Sequence, residues 1–177
     1  IARLNSLGGK VWLVGGAVFR NVAHSLHNSN HGDKYDFDFI VENPIVWDRL
    51  SIPQGWKVVK THLGNPRFVR ANDQVDVFPI HNAVNHADHH LRDGMTMDEK
   101  LESYFRRVPL TVQAIAYDVT EGKVIGDRGI AAILAKEIKV NNPQECLNFC
   151  RARRISVRHF IQTKAASLGF VPFFYKF

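Results

Sequence analysis

Two carboxylates, Asp36 and Asp38, stand two positions apart in the apolar run YDFDFIV. In an extended strand, side chains at i and i+2 leave the backbone on the same side. Both carboxylates then project from one surface, close enough to share a cation. Like charges held a few ångströms apart are costly without a counter-ion. A hard divalent cation with oxygen ligands, such as Mg²⁺, relieves that repulsion. Upstream, Gly15-Gly16 interrupts VWLVGGAVFRN between an apolar run (11–14) and a helical pattern (17–26). Glycine lets the backbone approach closely, and N–H groups at a helix N-terminus hold phosphate oxygens. A metal-binding pair beside a phosphate cradle points to chemistry on a nucleoside triphosphate.

The elements that position these residues follow from pattern and punctuation. Strand, glycine turn and helix are expected at 11–14, 15–16 and 17–27, after the end of a first helix at 2–8. A polar loop at 25–34 leads to the carboxylate strand at 36–41, and Pro44 suits the first turn of a short helix reaching residue 50. WKVVKT (56–61) alternates as a strand does. RFVRANDQVDVFPI (67–80) predicts a hairpin with Asn72-Asp73 as its turn pair. In its second arm Asp76 shares a face with Phe78 and opposes Val75 and Val77. Residues 81–94 lack a period and are expected to be loop. Thr96 and Glu99 have capping-box spacing ahead of a helix at 97–106. LTVQAIAY (110–117) fits helix or buried strand. A hairpin turns at Glu121-Gly122, a weak helix covers 130–136, and IKV (138–140) is a short strand. One long helix is predicted from Pro143 to Leu168, ended by Gly169. The mixture gives an α+β (mixed α/β) class, with a small mixed sheet flanked by helices.

At 177 residues the chain is read as one domain with a small appendage: 1–142, then a basic C-terminal helix and aromatic tail at 143–177. Opening at Ile1 rather than Met is what a piece of a longer protein would show. An apolar share of 45% with 23% charged residues is ordinary for a soluble globular protein, and no run is long enough to cross a membrane. The net charge of +6 and pI near 9.5 favour an anionic partner, RNA first. Cys146 and Cys150, four apart with no others to pair with, fit packed thiols in a reducing compartment, and a cytoplasmic location is expected.

The stretches, in order, resemble the head domain of tRNA CCA-adding enzymes and bacterial poly(A) polymerases, within the DNA polymerase β-like nucleotidyltransferase superfamily. VWLVGGAVFRN resembles the LVGGxVRD signature, and YDFDFIV the DxDF strand. FRRVPLTVQAIAYD (105–118) resembles RRDFTINALAYD, and KVIGDRGIAAILAKEIKV (123–140) resembles IIDPFGGxxDLxxxxIR. The likeness covers residues 7–142. It implies a nucleotidyltransferase that moves a nucleoside monophosphate from ATP or CTP to a hydroxyl, most plausibly on RNA. It further implies Gly15, Gly16, Arg20 and Arg107 around the nucleotide. Asp36 and Asp38 would bind two Mg²⁺ ions, with Asp76 as the third carboxylate. The chain departs at Pro109, where the family carries aspartate, and at Gln113, Ala132 and Asn21. The family's EDxxR base-reading motif has no clear counterpart.

Competing readings remain. Asp36 and Asp38 are also what a solvated strand end looks like, and Asp76 what an edge-strand charge looks like. Gly15-Gly16 is also a plain tight turn; neither GxxxxGK[ST] nor GxGxxG is present. His81, His86, His89 and His90 crowd one loop with Asp88 and Asp93, fitting a solvated loop better than a zinc site. Arg151, Arg154 and Arg158, with Arg153 and Lys164, make either a solvated face or a contact with RNA phosphates. FVPFFYKF (170–177) is too aromatic to stand in water. Two further functions compete with transfer to RNA. One is a catalytically lapsed module that binds RNA or protein; the other is nucleotide transfer to a protein or small-molecule hydroxyl.

Overall fold

A computed structural model describes residues 9–29, 36–43, 51–61, 63–83 and 94–174. The expected elements at 2–8 and 44–50, most of the loop at 81–94, and the last residues of the tail lie outside that set. A seven-stranded mixed sheet forms the centre, in the order β3-β4-β5-β2-β1-β6-β7. Its strands are β1 (Val11–Val14), β2 (Asp36–Val41), β3 (Lys57–Lys60), β4 (Pro66–Arg70), β5 (Asp73–Pro79), β6 (Ala116–Asp118) and β7 (Lys123–Ile125). Only β2 and β5 run parallel; every other pair is antiparallel. The helices are α1 (Gly16–His27), α2 (Ile80–Ala83), α3 (Met97–Arg107), α4 (Asp127–Leu134), α5 (Pro143–Arg153) and α6 (Val157–Leu168). A short two-stranded sheet pairs β8 (Glu137–Ile138) with β9 (Val171–Pro172).

Strand alternation divides the core. Trp12, Val14, Ile40 and Ala116 pack with Leu101 and Phe105 of α3 and with Ile80. Val11, Phe39, Val41 and Val77 form a smaller cluster on the opposite face. The largest cluster joins Val18, Phe19 and Ala23 of α1 to Ile133 of α4 and to Cys146, Cys150, Phe160, Ile161 and Leu168 of α5 and α6. The described C-terminal residues from α5 to Phe170 therefore share a hydrophobic core with the sheet domain. Phe170, 6% exposed, packs into that core, so the tail begins by folding back.

Local chemistry explains most boundaries. Thr96 accepts from Glu99 N while the Glu99 carboxylate accepts from Thr96 N, the reciprocal cap expected for α3. Residues 110–117, ambiguous by pattern, form a 3-10 turn (Thr111–Gln113) and then β6. Residues 81–83, expected within a loop, belong with Ile80 to the single turn α2.

Two expectations are corrected. The long C-terminal helix is broken: Arg154 adopts a left-handed conformation (φ 54), and Ser156 caps α6 by accepting from His159 N. The first hairpin turns one residue earlier than expected, at Ala71-Asn72, with Arg70 opposite Asp73 and Ala71 at φ 49.

Asn141 ties the C-terminal helices to α3. Its amide donates to Phe105 O and Val108 O, both at 2.9 Å. On the other side of the 3-10 turn, α4 presses close: a Cβ on Gly129 would lie 2.5 Å from Ala114 O and 2.7 Å from Ala114 C. Backbone cannot give way as a flexible side chain can. Gly129→Ala is expected to lower stability by about 1–3 kcal/mol, against about 0.5 or less for Gly94→Ala, where the added methyl meets nothing. Urea midpoints of the two variants test this; equal midpoints would show that the α4 contact is looser than the geometry states.

Candidate active site: a carboxylate face beside a glycine turn

The parallel pairing of β2 and β5 sets Asp36 opposite Gln74 and Asp38 opposite Asp76. On the other side of β2, Asp38 faces Val14, the residue before the glycine turn. Asp36, Asp38 and Asp76 therefore stand on one face of the sheet, the face that also carries Trp12, Val14 and Ile40. Toward the core this face is apolar and covered by α3. At the end where β1 stops and β2 starts, it turns acidic and half-open.

Gly15 closes the other side. Its backbone (φ 74, ψ −151) lies in a region that essentially only glycine occupies. A Cβ there would also lie 2.7 Å from Asp38 Oδ2. Both facts demand glycine at position 15, and together they seat the Asp38 carboxylate against the turn. The turn opens α1 with no side-chain cap and no acidic residue in its first turn. The first N–H groups of a helix lack intrahelical partners and favour an anion. Arg20 arches over Gly16, its Nη2 2.9 Å from where a Cβ would stand.

Electrostatics mark Asp38 as the stressed member. Its carboxyl is pushed up to about 6 by burial, then by the charges of Asp76 and Asp36, with Arg67 opposing. Tyr104 of α3 lies within reach of that charge: burial first, and Asp38 second, raise its phenol above the ordinary range. Arg67 on β4 sits opposite Asp76 and binds it through two bonds, Nε to Oδ1 at 2.6 Å and Nη2 to Oδ2 at 2.7 Å. That bond to Asp76, with burial opposing, raises the guanidinium's own affinity for its proton.

These residues fit one divalent ion at Asp36 and Asp38: hard oxygens, a shared face, and a carboxyl whose proton affinity is raised by burial and then by its neighbours' charge. They do not form a three-carboxylate cage. Among the described residues no group of three His, Cys, Asp or Glu side chains converges to hold an ion, and Asp76 is engaged by Arg67. His81 lies on α2, while His86, His89 and His90 fall outside the described residues.

Other expected residues are placed as follows. Arg107, at the end of α3, pairs with Glu145 of α5 (3.0 Å), so the structure shows it joining two helices. Arg151, Arg154 and Arg158 are exposed on α5, its C-cap and α6, and Arg158 lies 5.3 Å over the Phe174 ring. Three features escaped sequence reasoning: Arg67, Tyr104, and a cationic group beside α1. In that group Lys164 lies 5.3 Å over the Phe19 ring. Its ammonium is held below the ordinary range by burial, then by Arg20 and Arg153. Arg67 depends on the exact register of its hairpin, and the other two join elements distant in sequence, so only register or helix packing reveals them.

No family model and no curated protein sequence matches the chain. Solved structures do, and they share this chain's fold. A tRNA-processing enzyme with CTP superposes with a TM-score of 0.61 at 20% identity, over 96% of this chain and 41% of its own. A CCA-adding enzyme with CTP gives 0.58 at 15% identity, over 82% and 33%. A tRNA nucleotidyltransferase with a primer tRNA and an incoming ATP analogue gives 0.56 at 20% identity, over 93% and 49%. The chain thus spans a third to a half of the length of these structures.

The raised Asp38 pKa has a consequence for stability. Between its ordinary 3.8 and about 6, the unfolded chain ionises this carboxyl while the folded chain keeps the proton. Asp38 therefore costs nothing below that window and its full penalty above it. In chelator, Asp38→Asn is expected to be more stable than the parent by about 1–3 kcal/mol near pH 8, converging with it near pH 4. Urea titrations at both pH values decide; a variant weaker than the parent at the higher pH contradicts the account.

Proposed function

We propose that the chain is a metal-dependent nucleotidyltransferase that moves a nucleoside monophosphate from ATP or CTP to a hydroxyl acceptor, RNA being the best fit. The observation that carries this reading is the acidic end of the sheet face, with Asp38 seated against the Gly15 turn at the start of α1. The likeness to structures holding CTP, an ATP analogue and tRNA supports it. The basic surface of α5 and α6 suits an RNA backbone. Residues 1–142 supply the chemistry in this reading, and 143–177 the basic helices and tail.

Each residue has a definable task. Gly15, Gly16 and the first N–H groups of α1 receive the polyphosphate, with Arg20 alongside. Asp36 and Asp38 hold a divalent cation, Mg²⁺ by their hard oxygens. When bound, such a cation draws charge from the phosphoryl oxygens and lowers the barrier to attack. The acceptor oxygen forms a new bond to the α-phosphorus, the α–β P–O bond breaks, and pyrophosphate departs. The hydroxyl proton leaves to solvent or to a nearby carboxylate. Positioning and charge neutralisation carry most of the rate in such transfers.

A second reading, a lapsed relative that binds RNA without transfer, is favoured by the hold of Arg67 on Asp76 and by Pro109 where the family carries aspartate. Calorimetry separates the two: metal-dependent ATP or CTP binding supports the enzyme, whereas RNA binding without it supports the lapsed form.

Labelled transfer with each of the four triphosphates, with tRNA and cell extract as acceptors, is the direct test. Asp36→Ala and Asp38→Ala are each expected to abolish transfer while leaving the far-ultraviolet circular dichroism unchanged. Full activity in both variants removes the mechanism.

A further inference from the structure

The third carboxylate of the acidic face already has a cation. Arg67 and Asp76 are directly opposed across the β4–β5 pair, where opposed Cβ atoms lie about 4.5–5.5 Å apart. The guanidinium therefore stands beside Asp76 by virtue of strand register, not of a loop that can swing away. Its contact is bidentate, at 2.6 and 2.7 Å, and the Asp76 side chain is only 17% exposed. Gln74 Nε2 adds a weaker approach to Oδ2 at 3.5 Å. A planar fork closing on both carboxylate oxygens is the strongest neutral-pH pairing a side chain offers. To enlist Asp76, a metal ion would have to compete with that pairing in a half-buried place.

From this geometry, and resting on the nucleotidyltransferase reading above, we infer that Arg67 is a resident cation of the site. It withholds Asp76 from the metal, leaves Asp36 and Asp38 as the ligands of a single divalent ion, and supplies beside them the positive charge that a second ion would bring to the triphosphate. Charge balance agrees. Three carboxylates and one guanidinium leave two negative charges, which one divalent ion neutralises. Asp76 is then a positioning residue for Arg67, and Arg67 keeps N–H donors beyond the two that Asp76 uses.

Manganese binding, followed by electron paramagnetic resonance on the intact chain, tests this without recourse to activity. The parent is expected to hold one Mn²⁺. Asp36→Asn and Asp38→Asn should weaken it about tenfold or more, and Asp76→Asn by no more than about twofold. Arg67→Gln, which releases Asp76, should tighten Mn²⁺ or admit a second ion; Arg67→Lys, which keeps the charge, should not. In EDTA, Arg67→Gln should weaken ATP binding several-fold. The inference falls if Asp76→Asn loses Mn²⁺ as severely as Asp38→Asn, if the parent binds two ions, or if Arg67→Gln binds ATP as the parent does. Mn²⁺ retained in both Asp36→Asn and Asp38→Asn would overturn the functional reading along with it. Loss through Asp76 alone would leave that reading standing.

Discussion

The parallel register of β2 against β5 is the constraint on which the site depends. It puts Asp38 directly opposite Asp76 and, through β1, directly before the glycine turn. A parallel pair cannot be closed by a tight turn. Here the return path includes β3 and β4, and that detour brings Arg67 alongside Asp76. One pairing thus accounts for the crowding of three acids and for the base that partly relieves it. The cost falls on Asp38, partly buried with both other acids beside it, whose carboxyl is driven up to about 6. A fold seeking stability alone would place a valine there, as β1 does with Val14 directly opposite. Burial with repulsion is tolerated where a cation-binding surface is needed, and such perturbed groups collect at functional sites.

Much of this arrangement was legible in the sequence because its signals are local. The i, i+2 spacing of Asp36 and Asp38 needs only a strand to share a face. The Thr96/Glu99 spacing needs only a helix start, and Gly169 only a helix end; all three appear in the structure. Gly15 was readable as a turn, but its second necessity, the space taken by the Asp38 carboxylate, is tertiary. The resemblance to nucleotidyltransferase heads stands at the level of fold.

Arg67 was hidden by a turn placed one residue late, which shifts the register by two. With Asn72-Asp73 as the turn, Val69 would stand opposite Asp76. With the turn at Ala71-Asn72, Arg67 does. Asn and Asp are the side chains that tolerate left-handed backbone, so the sequence pointed to them, whereas Ala71 takes φ 49 with no such advantage. Closing the hairpin there lets Arg70 pair with Asp73 at 2.8 Å, a contribution too small on the surface to be read in advance. Since moving a hairpin turn by one residue gives every side chain a different partner across the pair, hairpin turns deserve more weight than strand propensities when sites are sought in β-sheets. The break at Arg154 was missed for a similar reason. Arginine carries no preference for the left-handed state, and Ser156 reads as a cap only once the break is assumed.

Viewed along α1, the site has two electrical sides. Carboxylates stand on the sheet side of Gly15, while Arg20, Lys164 and Arg153 gather beside α1, where burial first and the two arginines second depress the lysine. The N-terminus of α1, with unpaired N–H groups, lies between them. A polyanion alone would be drawn to the cationic side and repelled by the carboxylates. In the proposed reaction a polyanion carrying a divalent ion would be attracted by both, the ion to Asp36 and Asp38 and the phosphates to the helix start. Such a field would favour the metal complex over the free triphosphate, and Arg67 would soften the repulsion beside Asp76. The C-terminal helices share a core with the sheet domain rather than hanging from it, which holds Lys164 and Arg153 near Arg20.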